Sequence, residues 1–199
     1  MRRIAFAFAG LLGAVTLSAS PAVANPWWGY EIDPLGGRSN DVYGQQEYRP
    51  RAAPVSRQVV AYEGRHAPGT IVVSTSERRL YYVLGQGQAI QYPVGVGRPG
   101  FEWSGVKQIT AKREWPDWRP PAQMLQRRPD LPRYMSGGPD NPLGARAMYI
   151  GGTLYRIHGS NEPETIGQAV SSGCIRMSNE DVIDLYNRAR VGAKVVVTR

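Results

Sequence analysis

Beyond Val59 the apolar residues come in short runs rich in Val, Ile and Tyr, punctuated by Gly and Pro. Such runs read as strands rather than helices, and a chain assembled from many of them is confined to a mainly β fold. Residues 70–74 and 79–84 read as strands, and the turn Gly85-Gln86-Gly87 leads into another over 89–96, which together predict an antiparallel meander. Residues 106–114 form a fourth candidate. Residues 147–150 and 153–158 suggest a hairpin around Gly151-Gly152, and 194–198 a final strand. The expected architecture is sandwich-like or a partly closed β-barrel with a few short helices.

Two segments break this pattern. From Ser178 the chain reads Ser-Asn-Glu-Asp and then carries Val182, Ile183, Leu185 and Tyr186 on a helical period. A Ser hydroxyl suits the free N–H groups of a first turn, and acidic residues suit its positive dipole end. A short helical turn is also expected within 163–170. The other exception is residues 115–143, a Pro-laden stretch containing Trp115 and Trp118. A connection that long in a compact domain is usually functional, and it is expected to act as a lid beside the reactive site.

At the N-terminus Arg2 and Arg3 precede an apolar run that ends near Leu17 and is followed by Ala22-Val23-Ala24. That is the pattern of a secretory leader over residues 1–24, too short to favour a permanent membrane span. Residues 25–58, rich in Pro, Gly, Asn, Gln and Arg, read as a flexible linker, and 59–199 as the folded domain. Without Arg2 and Arg3 the 24 basic residues become 22, which against 16 acidic ones leaves a formal charge of +6. A basic protein exported to the periplasm or cell envelope suits an acidic polymer there, and nucleic acid is a poorer fit because export removes the chain from it.

The chain has one cysteine, Cys174, so no intramolecular disulfide is available. An unpaired thiol outside the cytoplasm is a liability unless it is used. A thiol attacks as its thiolate, which a neighbouring imidazole promotes, and the imidazole later protonates a leaving amine. Alternation along the strand before Gly159 puts Arg156 and His158 on one face and Tyr155 and Ile157 on the other. The segment after His158 has room to loop out and return Ser171-Ser172-Gly173-Cys174 toward the strand end. Gly173 permits a tight turn whose N–H groups could meet an oxyanion. Arg176 could orient a substrate carboxylate, support the loop or favour the thiolate.

Ile157-His158-Gly159, followed by Ser171-Ser172-Gly173-Cys174-Ile175-Arg176-Met177, closely resembles the signature of the L,D-transpeptidases. Arg79-Leu80-Tyr81-Tyr82-Val83, Tyr92-Pro93-Val94-Gly95-Val96-Gly97, Glu114-Trp115-Pro116 and the run from Gly138 to Arg146 are similar to proteobacterial members. The resemblance implies a β-rich domain that cleaves a peptidoglycan tetrapeptide stem between diaminopimelate and the terminal D-Ala. A thioester on Cys174 would then pass to an amine, usually to give a 3→3 crosslink, and a carbapenem should acylate the same thiol. By the same carry-over His158 is base and acid, Gly173 and Cys174 supply backbone oxyanion donors, and Arg176 is the motif arginine. A backbone carbonyl, for which Ser172 is the candidate, orients the His. Many relatives have His where this chain has Ser172. Ser171, Gly159, Arg156 and Tyr149 are the candidate substrate contacts. No metal or organic cofactor is implied, and two His with one Cys would supply a zinc site poorly. The acceptor amine could instead come from an outer-membrane protein, or water could replace it. A catalytically idle wall-binding module is the reading of another class, and an intact Cys, His, Gly and Arg set weighs against it.

Overall fold

The computed structural model describes residues 56–199, together with a two-residue antiparallel ladder in which β1 (Ala24–Asn25) pairs with β2 (Tyr30–Glu31). The expected leader and most of the expected linker lie outside the described residues. The strands that follow are β3 (Gln58–Ala61), β4 (Ile71–Ser74), β5 (Arg79–Gly85), β6 (Gln88–Pro93), β7 (Val96–Gly97), β8 (Gly105–Glu114), β9 (Arg146–Ile150), β10 (Arg156–His158), β11 (Ala169–Ser171), β12 (Ile175–Arg176) and β13 (Lys194–Thr198). Two helices, α1 (Ala122–Arg127) and α2 (Asn179–Arg188), and a single 3-10 turn at Pro163–Thr165 complete the domain.

Nine strands form one open sheet in the order β12-β10-β9-β8-β13-β4-β5-β6-β3, and β11 and β7 form a separate parallel ladder. The fold is therefore mainly β, as the run pattern requires, and its sheets do not close. The expected meander is present as antiparallel β4, β5 and β6, with Ile71 opposite Tyr82 and Leu80 opposite Tyr92. The final strand β13 runs parallel to β4 and antiparallel to β8, so it lies in the middle of the sheet. Its alternation buries Val195 and Val197, which join Ile71, Val73, Leu80, Ile109, Met148, Ile157 and Ile175 in the core. Each such side chain contributes about 1.5–3 kcal/mol by leaving water.

Helix α2 closes this core with Val182 and Leu185. Its start is as expected, since the Ser178 hydroxyl accepts the Asp181 N–H at 3.1 Å. Its end is capped from the sheet: Lys112 Nζ on β8 donates to the carbonyls of Tyr186 (2.5 Å) and Ala189 (2.7 Å). The buried Tyr92 hydroxyl donates to Asp184 at 2.6 Å and ties β6 to the same helix.

Two expectations are corrected and one is met. The hairpin of β9 and β10 is looser than its sequence suggests, because the Thr153 hydroxyl donates to the Ile150 carbonyl and accepts the Tyr155 N–H, which holds 153–155 in the turn. The short helical turn expected within 163–170 is present as the 3-10 turn at Pro163–Thr165, and Ala169–Ser171 is strand. The Pro-rich stretch has regular structure of its own: α1, and a bridge that pairs Trp118 with Met135. Asn141, fully buried, fastens its end by donating from Nδ2 to the carbonyls of Pro116 and Ser136 and accepting the Leu143 N–H.

Candidate active site

Strand β10 runs antiparallel to β9 and parallel to β12, with Ile157 opposite Ile175 and His158 opposite Arg176. Partners in a parallel ladder point to the same side of a sheet. Ile157 and Ile175 therefore both enter the core, while Arg156, His158 and Arg176 share the other face. Cys174, one residue before β12, falls on that same face opposite Arg156. Extending that register by one residue sets Cys174 diagonally across from His158 at the end of the 159–173 loop.

His158 is 2% exposed. Its Nδ1 lies 2.6 Å from the Gly159 carbonyl. A carbonyl only accepts, so Nδ1 carries the proton and Nε2 of the neutral ring holds the free lone pair. The carbonyl that steers the ring is thus that of Gly159, not that of Ser172 as expected. Gly159 belongs to this support rather than to a substrate surface. It is buried, and a Cβ there would collide with the amide oxygen of Asn179. That amide bridges two segments, with Oδ1 accepting the Ala145 N–H and Nδ2 donating to the Ser160 carbonyl.

The turn carrying Cys174 is held from several sides. Gly173 has φ +105°, a conformation open to glycine, and a Cβ on it would run into the Tyr155 ring. Ser171, expected to touch substrate, is buried and staples the turn instead: its hydroxyl donates to the Cys174 carbonyl at 2.6 Å and accepts the Gly173 N–H at 3.1 Å. The Gly173 N–H is therefore engaged within the turn, which leaves the Cys174 N–H as the better candidate for an oxyanion donor. Ser172 Oγ accepts from Arg98 at 3.1 Å. Trp103 donates from its indole to the Gly173 carbonyl at 2.8 Å and stacks on Tyr155, with ring centroids 5.0 Å apart.

Arg176 and Arg156 differ in setting. Arg176 is 1% exposed and sits 3.4 Å from buried Glu162 and 3.3 Å from the Thr165 hydroxyl. Of the roles open to it from sequence, loop support fits this burial, and contact with a substrate carboxylate does not. Arg156 is partly exposed, stands over the Tyr149 ring at 5.2 Å, and is the nearest cationic influence on the thiol. Arg156 and Tyr149 thus remain where a substrate could reach them.

Burial, opposed by Arg156 and Arg176, pushes the Cys174 thiol above its ordinary range. Burial and then Arg176 push His158 down to about 3. Both shifts favour the neutral pair over the thiolate and imidazolium expected from sequence. Sequence reasoning missed Arg98, Trp103, Tyr155 and Asn179, which lie in no reactive motif.

A mainly β domain thus brings the His158 and Cys174 segments together at the β10–β12 edge of its sheet, with the imidazole steered by a carbonyl. The L,D-transpeptidase catalytic domain (YkuD) model matches residues 68–197, and the chain belongs to that family. It is 39% identical over 134 residues to the probable L,D-transpeptidase ErfK/SrfK of Escherichia coli K12, covering 64% of this chain and 43% of that protein. It is also 39% identical to the probable L,D-transpeptidase YbiS of the same strain, covering 63% and 43%. The chain thus spans less than half the length of these curated relatives. Its fold is similar to that of an L,D-transpeptidase from Mycobacterium smegmatis, with a TM-score of 0.53, 17% identity, and coverage of 65% of this chain and 58% of the other.

Proposed function

We propose that this chain is an exported L,D-transpeptidase that acts on peptidoglycan tetrapeptide stems through a thioester on Cys174. The observation that supports the reading is the parallel β10–β12 ladder, whose register continued by one residue puts Cys174 on the His158 side of the sheet, with Nε2 of His158 holding the free lone pair. His158 Nε2 takes the proton as Cys174 Sγ attacks the carbonyl at the L-centre of diaminopimelate. The tetrahedral oxyanion collapses, the amide C–N bond breaks, and His158 returns the proton to the departing amine of D-Ala. An amine of a second stem then attacks the thioester and gives up its proton through His158, so the sulfur leaves and is reprotonated. The product is a 3→3 crosslink.

Arg156 supplies positive charge beside the thiol, where the carboxylates of a stem peptide would come, and Tyr149 holds its guanidinium from below. The leader-like residues 1–24 support delivery to the cell envelope, where this substrate is found. Incubating the full chain with purified disaccharide tetrapeptide and weighing the products tests the reading. A dimer lighter by one D-Ala, formed by wild type and not by Cys174→Ala, is the expected result. Tripeptide alone would make water the acceptor, and unchanged stems with no covalent adduct on the protein would overturn the reading.

A further inference from the structure

The geometry points to Trp103 as a positioning residue that aims the oxyanion donor of the nucleophile turn, an inference that rests on the thioester reading above. A trans peptide is planar, with its carbonyl and its N–H on opposite edges. The Gly173 carbonyl and the Cys174 N–H belong to one such peptide, so fixing the first fixes the second. The Trp103 indole N–H donates to the Gly173 carbonyl at 2.8 Å. That peptide follows a glycine at φ +105°, whose freedom of rotation would otherwise let the plane tip.

The indole is itself held. It stacks on Tyr155 with ring planes 13° apart, and the Tyr155 ring lies where a Cβ of Gly173 would be. The two rings and the glycine therefore form one packed unit, which presses the turn from one side and hydrogen-bonds its carbonyl. Ser171 meanwhile engages the neighbouring Gly173 N–H, so the turn is not free to offer that donor in place of the Cys174 N–H. With the carbonyl turned to Trp103, the Cys174 N–H points the opposite way, out of the packed unit. A preorganised donor lowers the barrier because no reorientation is needed when charge develops on the carbonyl oxygen.

Acylation of Cys174 by a carbapenem passes through an oxyanion, whereas alkylation by iodoacetamide displaces iodide and forms none. The two rates on the full chain therefore separate aim from thiol reactivity. In Trp103→Phe, which keeps a ring on Tyr155 and loses the N–H, acylation should fall roughly tenfold or more while alkylation stays within about twofold of wild type. Placing 3-benzothienylalanine at position 103 exchanges the N–H for sulfur at nearly constant shape, and it should give the same split even if Trp103→Phe melts early. Unchanged acylation with the analogue, or acylation and alkylation falling together, would overturn the inference alone. A wild-type thiol that is alkylated but never acylated would overturn the thioester reading and this inference with it.

Discussion

His158 donates its Nδ1–H to the carbonyl of Gly159, its neighbour in the chain, at 2.6 Å. The bond fixes the tautomer, and burial with the Arg176 charge lowers the ring from 6.5 to about 3. Carbapenem acylation should therefore show no inflection near pH 6.5 in wild type. An inflection there would mean an imidazole open to water. His158→Ala should be slower near neutral pH by about 10²–10⁴ and regain rate as the thiol ionises unaided at alkaline pH. Burial raises that thiol, so the recovery should come later than for a free cysteine.

The same shift has a consequence for stability, with a definite sign. Between pH 6.5 and about 3 the unfolded chain takes a proton at His158 that the native site refuses. Its contribution is thus complete above pH 6.5 and is lost as the pH falls, by at most about 1.4 kcal/mol per unit. The urea midpoint of wild type should drop between pH 7 and pH 5 more than that of His158→Gln, which has no such proton to refuse. Equal drops would show that the ring is protonated in the native state.

Cys174→Ala should abolish turnover and carbapenem adduct formation while keeping a cooperative melt. The thiol is half-buried and makes no disulfide, so its removal opens little space in the core. Early unfolding of the variant would assign Cys174 to packing.

Arg176→Met should act on the fold first. It leaves Glu162, itself 4% exposed, without its 3.4 Å partner, and breaking a buried ion pair costs about 3–5 kcal/mol. Glu162→Gln together with Arg176→Met should recover part of that loss. If the single variant melts like wild type and only raises KM, the guanidinium reaches substrate after all.

The pair proposed as nucleophile and base, Cys174 and His158, stands out in the sequence because its residue types are rare here and their chemistry is specific: one cysteine, two histidines, and a glycine before the thiol. The helix from Ser178 was legible because a cap is a local signal, three residues long. What escaped were partnerships set by register between distant segments. Lys112 reads as a solvated strand lysine, yet it caps α2 from 74 residues away. Ser172 was chosen to steer the imidazole because it adjoins the nucleophile, although the nearer carbonyl of Gly159 needs no fold at all to approach the ring. Trp103 gave no signal, because its donor finds its acceptor 70 residues further along the chain.

Lys112→Met should test that cap. It keeps most of the stem and removes the charge from the two last carbonyls and from its place 4.0 Å above the Tyr186 ring. Helix C-terminal charge effects run to about 1–2 kcal/mol when partly buried. A fall of a few degrees in Tm with unchanged acylation is expected, and an unchanged Tm would make the cap ornamental.

The Pro-rich stretch 115–143 reaches the nucleophile turn through three stacked groups. Arg127 on α1 stands 5.3 Å from the centre of the Phe101 ring, Arg98 stands 4.1 Å from it, and Arg98 donates to Ser172. Of the two tryptophans in the stretch, Trp118 is 4% exposed and packs the stretch together, while Trp115 is 45% exposed. A lid role for the stretch would therefore run through α1 and Phe101 rather than through Trp118. Replacing 120–132 by a short Gly-Ser link removes α1 and leaves Asn141 fastened to Pro116 and Ser136. If the lid excludes water from the thioester, the variant should yield more tripeptide relative to crosslinked dimer, because hydrolysis gains what the amine loses. Arg127→Ala, which touches only the stack, should shift that ratio in the same direction by a smaller factor. A ratio that stays constant in both variants, with cooperative melts retained, would make the stretch a scaffold and not a lid.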